Sequence, residues 1–382
     1  MWPEQVSQPL WLLKNANPNH LHYHIRHCQF AVDSFSFRRS ETRIMLTATT
    51  LSKAFAGDVR AVRNVSLTLR AGQVMALVGE SGSGKSTLLH ILAGLADADT
   101  GEVRLNGQRV PGPAEVLVPG HPQIRLVPQE YQLMPNVSVR ENIAFALRYY
   151  DKAYRDFRVD ELLRLCRLTD VQHRLPRRVS GGEKQRTAIA RAVADNPANG
   201  PGTVLLLDEP FSHLDLPNRN IVRELLFDLV RHDNTACLFV THDATDALSI
   251  ADTLSILRDG KLIQTGSPQT VYRQPKTAYA ARMTGTATIL KAKHLPMLGL
   301  TDERVTTRPN ALFCLRPEQI LLAYEGVAGT VQAVFFRGSF SEIDVDVSRY
   351  VRLRLLTTRT DLQPGQIVSV RVAGQSVWWL AE

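Results

Sequence analysis

Cysteine is scarce and scattered in this chain: Cys28, Cys166, Cys237 and Cys314 are its four, and no two form a CxxC pair. That argues against a disulfide framework or a zinc site and fits a reducing compartment. No stretch approaches the ~18 unbroken apolar residues of a membrane span, so the chain is not expected to form a pore alone. A charged-then-apolar leader with a small-residue cleavage site is missing too, and secretion is not expected. Nor is there a block of one charge sign. The 45 Lys and Arg against 37 Asp and Glu leave +8, spread along the sequence, which reads as a mildly basic soluble protein rather than a nucleic-acid or membrane-surface binder. What is present is ordinary globular composition: 382 residues, 44% hydrophobic and 21% charged, enough for two or three domains.

Three textures follow one another. Residues 1–44 lack periodicity and are expected to be an N-terminal extension, loose or translated upstream of a start at Met45. The alternative reading of that segment is a soft-metal cluster of His20, His22, His24, His27 and Cys28. Residues 45–285 alternate apolar strands with amphipathic helices. Val74–Val78 and Val204–Leu207 are unbroken apolar runs, which suit strands of a parallel sheet buried on both faces. Ser138 and Glu141 form a capping box opening a helix through Arg148. A second helical stretch, Asp160–Arg167, puts Leu162, Leu163 and Cys166 on one face. Both interrupt the strand–helix rhythm and predict an inserted helical subdomain at about 130–185. From 286 to 382 short strands of period two appear. Ile343, Val345 and Val347 alternate with acids, Val351, Leu353 and Leu355 with arginines, and Ile367–Val372 adds a strand, so a small all-β barrel is expected.

The chemistry concentrates in two places. Gly79-Glu80-Ser81-Gly82-Ser83-Gly84-Lys85-Ser86-Thr87 matches G-x-x-x-x-G-K-[ST] between a strand and a helix, the context a polyphosphate loop requires. Glycines let backbone N–H groups turn inward around phosphates, and the helix N-terminus adds partial positive charge. Lys85 is placed for the terminal phosphates and Ser86 for Mg²⁺. The second anchor is Val204-Leu205-Leu206-Leu207-Asp208-Glu209, an apolar strand ending in two acids at the carboxyl edge of a sheet. Asp208 is expected to hold Mg²⁺ through water, and Glu209 to orient or deprotonate an attacking water.

Between these anchors lies Val179-Ser180-Gly181-Gly182-Glu183-Lys184-Gln185-Arg186, which resembles the signature motif LSGGQ of ATP-binding cassette (ABC) ATPases, with Val for Leu and Glu for Gln. The resemblance then runs in order over about 45–285. It implies that Phe55 stacks on adenine, that Gln129 is the Q-loop glutamine, serving catalysis and the metal, that Ser212-His213-Leu214-Asp215 is the D-loop, and that His242 is the switch histidine. It implies a head-to-tail dimer in which Ser180, Gly181, Gly182 and Glu183 of one copy, with Asp215, complete the ATP site of the other. The fold it implies is an α/β P-loop NTPase with an inserted helical subdomain, followed by a small OB-like domain.

The resemblance also implies partners: membrane permease subunits that dock near Tyr131, Leu133, Met134 and Pro135, and indirectly a solute-binding protein. Gly266-Ser267-Pro268-Gln269, Val271-Tyr272 and Leu315-Arg316-Pro317-Glu318 resemble the tail of importers with a transport-associated OB (TOBE-type) domain, expected at 286–382. Importers of iron(III), polyamines or anions are the nearest kind, working at the cytoplasmic face of a bacterial inner membrane with ATP and Mg²⁺. An exporter or lipoprotein-release ATPase is the competing reading. A soluble nucleic-acid ABC protein, drawing on Phe335, Phe336, Arg337 and Phe340, is a third, and nucleic acid is not expected. Asn196–Gly202 departs from the family as a long surface loop.

Overall fold

The computed structural model describes residues 43–57, 59–196, 202–232, 235–374 and 377–381. Residues 1–42, which hold the histidine–cysteine cluster, and 197–201, in the loop expected before the acidic strand, lie outside the described residues. The chain opens with β1 (Ile44–Phe55), β2 (Val59–Arg70), β3 (Val74–Val78), α1 (Lys85–Leu92), β4 (Thr100–Leu105), β5 (Gln108–Arg109) and β6 (Ile124–Val127). Three helices follow: α2 (Val139–Ala144), α3 (Lys152–Leu165) and α4 (Gly181–Val193). Strand–helix alternation then resumes with β7 (Val204–Asp208), α5 (Leu216–His232), β8 (Ala236–Thr241), α6 (Ala244–Ile250), β9 (Thr253–Arg258) and β10 (Lys261–Gly266).

The central sheet has the order β10-β9-β3-β8-β7-β6, parallel except for β10. Its apolar runs face two cores at once. Val74, Ala76 and Val78 of β3 join one core with α2–α5, while Met75 and Leu77 join the other with α1 and the antiparallel sheet β2-β1-β4-β5. Leu205 and Leu207 of β7 split from Val204 and Leu206 in the same way. A strand with both faces buried cannot carry a polar residue on either, which is why the sequence shows no alternation there. A charge at Leu207, 0% exposed, would break this layer. Because the strands are parallel, β3, β7 and β8 all end at the same edge, and the loops leaving that edge come together.

Between β6 and β7 the capping box of Ser138 and Glu141 opens α2, as the spacing predicts. The α-helix stops at Ala144 and continues as a 3₁₀ turn over Phe145–Leu147, shorter than a helix through Arg148. The next helix begins earlier than expected, at Lys152, capped by Asp151, and Leu162, Leu163 and Cys166 are buried together. Arg158, 6% exposed, fixes α3 to the end of α4 by donating to the carbonyls of Val193, Ala194 and Asn196. These last carbonyls of a helix have no intrahelical partners and otherwise need water.

Two short helices, α7 (Pro268–Arg273) and α8 (Ala278–Met283), lead to the C-terminal strands β11 (Thr288–Lys291), β12 (Leu312–Leu315), β13 (Ile320–Phe336), β14 (Ser341–Ser348), β15 (Val351–Thr357), β16 (Ile367–Val372) and β17 (Trp378–Trp379), with α9 (Arg304–Thr307) before β12. They form two sheets, β11-β12-β17 and β15-β14-β13-β16, around a core that includes Phe313, Val331, Ile343, Val345 and Leu353. β13 bends: Leu322 and Val327 both pair with Val370, so one long strand serves two stretches of curled sheet. The alternation expected of β14 has one exception. Asp344 is 7% exposed, because Arg354, directly opposite on β15, meets its carboxylate through two bonds of 2.6 and 2.7 Å. A cross-strand ion pair of this geometry lets a strand bury an acid that the period-two pattern assigns to solvent.

Candidate active site

The phosphate loop is shaped by contacts on its outer side. Gly84 sits at φ 101°, where a side chain is strained, and a Cβ there would lie 1.9 Å from the Ala61 carbonyl oxygen. Only glycine allows β2 to approach this closely. The neighbouring hairpin locks the loop, with Gly260 N–H donating to the Ser83 carbonyl at 3.0 Å and Arg63 N–H to the Gly260 carbonyl at 2.8 Å. The Lys85 ammonium donates to the carbonyls of Gly79 at 2.8 Å and Glu80 at 2.9 Å. Burial pulls its pKa down, and the carboxylates of Glu209 and Asp208 push it back up. It is thus a partly desolvated cation between acids and the loop, a setting in which a phosphate gains more than it does in water.

The acidic strand ends opposite. Asp208 pairs with Val240 in the sheet, and Glu209 then leaves the strand at φ 51°. A left-handed glutamate costs about 1–3 kcal/mol unless its surroundings hold it. Here Glu209 N–H donates to the Val240 carbonyl at 3.1 Å, and Ser212 returns two bonds to the Glu209 carbonyl, from its N–H at 3.2 Å and its hydroxyl at 2.6 Å. The strained turn aims the carboxylate at His242, whose Nδ1 lies 3.0 and 2.9 Å from the two Glu209 oxygens.

A cavity of about 1220 Å³ gathers Phe55, Glu80, Ser81, Gly82, Gly84, Lys85, Ser86, Thr87, Gln129, Asp208, Glu209 and His242. Gly79 and the buried Ser83 stand behind this wall, where a Cβ on Gly79 would meet the Ser83 hydroxyl at 2.6 Å. Phe55 is half exposed, as an aromatic available for stacking must be. Ser86, Gln129, Asp208 and Glu209, all side chains with hard oxygen donors, line this cavity. So few protein carboxylates, beside a phosphate loop, fit Mg²⁺ better than a cation that demands an all-protein cage.

Ser180, Gly181, Gly182, Glu183 and Asp215 do not line this cavity. Ser180 caps α4 in a second capping box with Glu183, whose carboxylate accepts from Ser180 N–H at 2.6 Å. The S-x-x-E spacing that locates the box at Ser138 was equally legible here. Asp215 accepts from the Asn218 backbone N–H at 3.0 Å and its side-chain amide at 2.7 Å, and these bonds hold its carboxyl below the usual range. Asn218 in turn accepts from Arg186 at 2.8 Å and faces Gly182. The start of α4 and the turn at Asp215 are therefore one hydrogen-bonded unit, with Ser180 and Gly181 exposed at its tip.

The region after Gln129 divides. Met134 lines a separate cavity of about 750 Å³ with Phe145, Arg148 and Tyr149, Leu133 and Pro135 line another beside Pro176 and Arg177, and Tyr131 borders both. Tyr131 and Gln132 are consecutive residues at φ 61° and 46°. Arg191 of α4 holds both carbonyls, at 3.1 and 2.9 Å. Sequence reading missed Arg191 and Asn218, as well as Arg60, Arg63 and Met283 in the cavity wall, and it named Ser212 without its hold on the Glu209 carbonyl. Arg191 acts on backbone carbonyls some sixty residues away, and no spacing rule announces that.

The ABC transporter family matches residues 62–212 and the TOBE domain residues 313–380. The Fe(3+) ions import ATP-binding protein FbpC 2 of Pectobacterium atrosepticum is 40% identical, over 75% of this chain and 83% of that protein. The spermidine/putrescine import ATP-binding protein PotA of Pseudomonas aeruginosa is 36% identical, over 77% and 84%. The sulfate/thiosulfate import ATP-binding protein CysA of Synechococcus elongatus is 39% identical, over 74% and 79%. Among solved structures, the dimeric post-hydrolysis state of the ATP-binding cassette MJ0796 bound to ADP and Pi is 28% identical, with a TM-score of 0.52 over 59% of this chain and 99% of that chain. This chain belongs to the ATP-binding subunits of ABC transporters of the importer type, ATPases that drive transport, and it carries a C-terminal TOBE domain of OB-like β structure.

Proposed function

We propose that the chain energises an importer of the ferric-ion, polyamine or sulfate kind by binding and hydrolysing ATP in a head-to-tail pair of its own copies. One observation carries this reading: the loop, the acids and His242 share a cavity, while the exposed Ser180–Gly181 tip does not line it. The site is half complete, and a second copy would supply the rest. In this reading the chain divides into an extension at 1–44, a cassette at 45–285 with its helical subdomain at about 130–185, and a regulatory barrel at 286–382.

The roles follow from position. Phe55 stacks on the base, and residues 79–87 cradle the phosphates, with Lys85 on the outermost pair. Ser86, Gln129 and Asp208 would hold Mg²⁺, which neutralises charge on the β- and γ-phosphates when bound. Glu209 takes the proton from the attacking water. His242 holds the Glu209 carboxylate through Nδ1, leaving its other nitrogen for the γ-phosphate. Ser180, Gly181 and Gly182 of the second copy bring a helix N-terminus to the transferred charge, with Glu183 and Asp215 holding that tip in shape. Gln129 passes occupancy to the helical subdomain, where the cavity of Tyr131 and Met134 receives a permease helix.

No helix among the described residues is long and apolar enough to cross a membrane, so the working place proposed is the inner face of a bacterial membrane, on permease subunits fed by a solute-binding protein. The barrel favours this over the exporter reading. Against nucleic acid stands the pairing of the basic groups beside the exposed phenylalanines. Arg337 meets Glu342, and Arg354, stacked on Phe335, meets Asp344. Turnover of the purified chain tests the proposal. It should depend on Mg²⁺ and rise faster than linearly with protein concentration. A rate strictly proportional to protein would refute the paired site. Co-purification with a permease from membranes tests the partner.

A further inference from the structure

The phosphate loop is also held from outside the cassette's sheets, by α8. The Tyr279 hydroxyl accepts from Glu80 N–H at 3.1 Å and donates to the Leu257 carbonyl at 3.4 Å. That same carbonyl is where a Cβ on Gly79 would land, at 2.4 Å. The end of β9, the start of the loop and α8 therefore meet at one point. The Arg258 guanidinium covers the Tyr279 ring at 4.8 Å. Glu80 is gripped on both sides of its residue, its N–H by Tyr279 and its C=O by the Lys85 ammonium.

The other end of α8 is held by the TOBE domain. Arg316, 3% exposed, donates to the carbonyls of Ala281, Gly285 and Thr286 at 2.9, 3.2 and 3.1 Å, and to the Thr284 hydroxyl at 2.8 Å. It also donates to the Tyr272 carbonyl at 2.8 Å and stacks on that ring at 4.0 Å. Its fork thus takes the place of the partners that the last carbonyls of a helix lack. A helix of six residues has too few internal bonds to stand alone. Its position is set by its neighbours: Ala280 and Ala281 are buried in two separate apolar clusters, and polar contacts hold its two ends.

We propose that Tyr279 is a positioning residue for nucleotide binding: its hydroxyl fixes the Glu80 residue on which Lys85 rests, and Arg316 holds it there from the TOBE domain. The barrel then acts on the ATP site through α8, with no contact of its own to nucleotide. A phenylalanine would fill the same space, and only the hydroxyl reaches the loop. The inference rests on residues 79–87 being the polyphosphate loop.

The test uses the full-length chain titrated with N-methylanthraniloyl-ATP, with steady-state turnover alongside. Tyr279→Phe keeps the ring and its stacking. One neutral hydrogen bond predicts a Kd for ATP raised about twofold to tenfold, and KM with it. With binding lost equally from ground and transition states, kcat should stay within about twofold. An unchanged Kd, or a loss confined to kcat, overturns the proposal. Lys85→Ala separates the two claims. If it binds ATP like the wild type, the loop reading fails; if it loses binding while Tyr279→Phe does not, only the role of Tyr279 fails. Arg316→Lys should weaken ATP binding in the wild-type background and have a smaller effect in the Tyr279→Phe background, the non-additivity expected of coupled groups. Equal effects in both overturn the link to the barrel. Should Arg316→Lys fail to fold by thermal melt, Thr284→Val, which removes one Arg316 partner, takes its place in the same cycle.

Discussion

Glu209→Gln isolates the proton acceptor from everything else at this site. The two side chains have the same shape, and the amide oxygen of glutamine can still accept from His242 Nδ1, now 2.9 Å from the nearer Glu209 oxygen. The backbone bonds that hold residue 209 at φ 51°, from Ser212 and to Val240, do not involve the side chain. The strained turn should therefore survive, and only basicity should be lost. A positioned general base contributes about 10²–10⁴ in rate, or about 2.7–5.4 kcal/mol at about 1.36 kcal/mol per decade. The expected result is phosphate release slowed by about 100-fold or more, with the ATP Kd changed by less than about threefold. Since hydrolysis is what would part the two copies, the variant with ATP should accumulate as a dimer in size-exclusion chromatography with light scattering. Turnover within about threefold of wild type would refute Glu209 as the group that activates water. Lost ATP affinity together with a lowered melting temperature would show that the carboxylate serves the turn instead.

Gly182→Ala should hurt the partner-dependent step alone. Its Cβ would fall 2.3 Å from the Asn218 amide oxygen, forcing about 1–3 kcal/mol of rearrangement on the unit that includes Arg186 and Asp215, so turnover should drop while mono-site ATP binding persists; impaired ATP binding would contradict this. The Tyr272 hydroxyl, pushed up from 10.0 to about 12 by burial and by Glu318, stays neutral in the folded chain after it ionises in the unfolded one. The unfolded state then binds fewer protons, so stability falls as pH rises from 10 to 12. Melting curves of Tyr272→Phe should fall less steeply over that window, and parallel curves would rule the residue out. Deleting 286–382 removes Arg316, the Trp378 indole bond to the Pro275 carbonyl at 2.8 Å and the Ala381 N–H bond to the Lys276 carbonyl at 2.7 Å. The truncated chain should keep ATP hydrolysis but melt at lower temperature and bind ATP more weakly, and an unchanged melting curve would show the barrel to be a loose appendage.

The sequence alone determined two strands of the central sheet, because Val74–Val78 and Val204–Leu207 are unbroken apolar runs that need apolar neighbours on both faces. It determined the polyphosphate loop and the acid pair, because their chemistry depends on residue types at fixed short spacing. It also named the helical insertion and the small all-β domain, although the alternation of β14 concealed that Asp344 is buried against Arg354. Only the tertiary structure decided which of these residues meet. Arg191 and the carbonyls of Tyr131 and Gln132, Tyr279 and Glu80, and Arg316 and the end of α8 are joined mainly by backbone groups or by single side chains reaching across distant segments. A backbone carbonyl is identical at every residue, so the sequence carries no mark of which one an arginine will find. That choice is made by how the helices and strands pack.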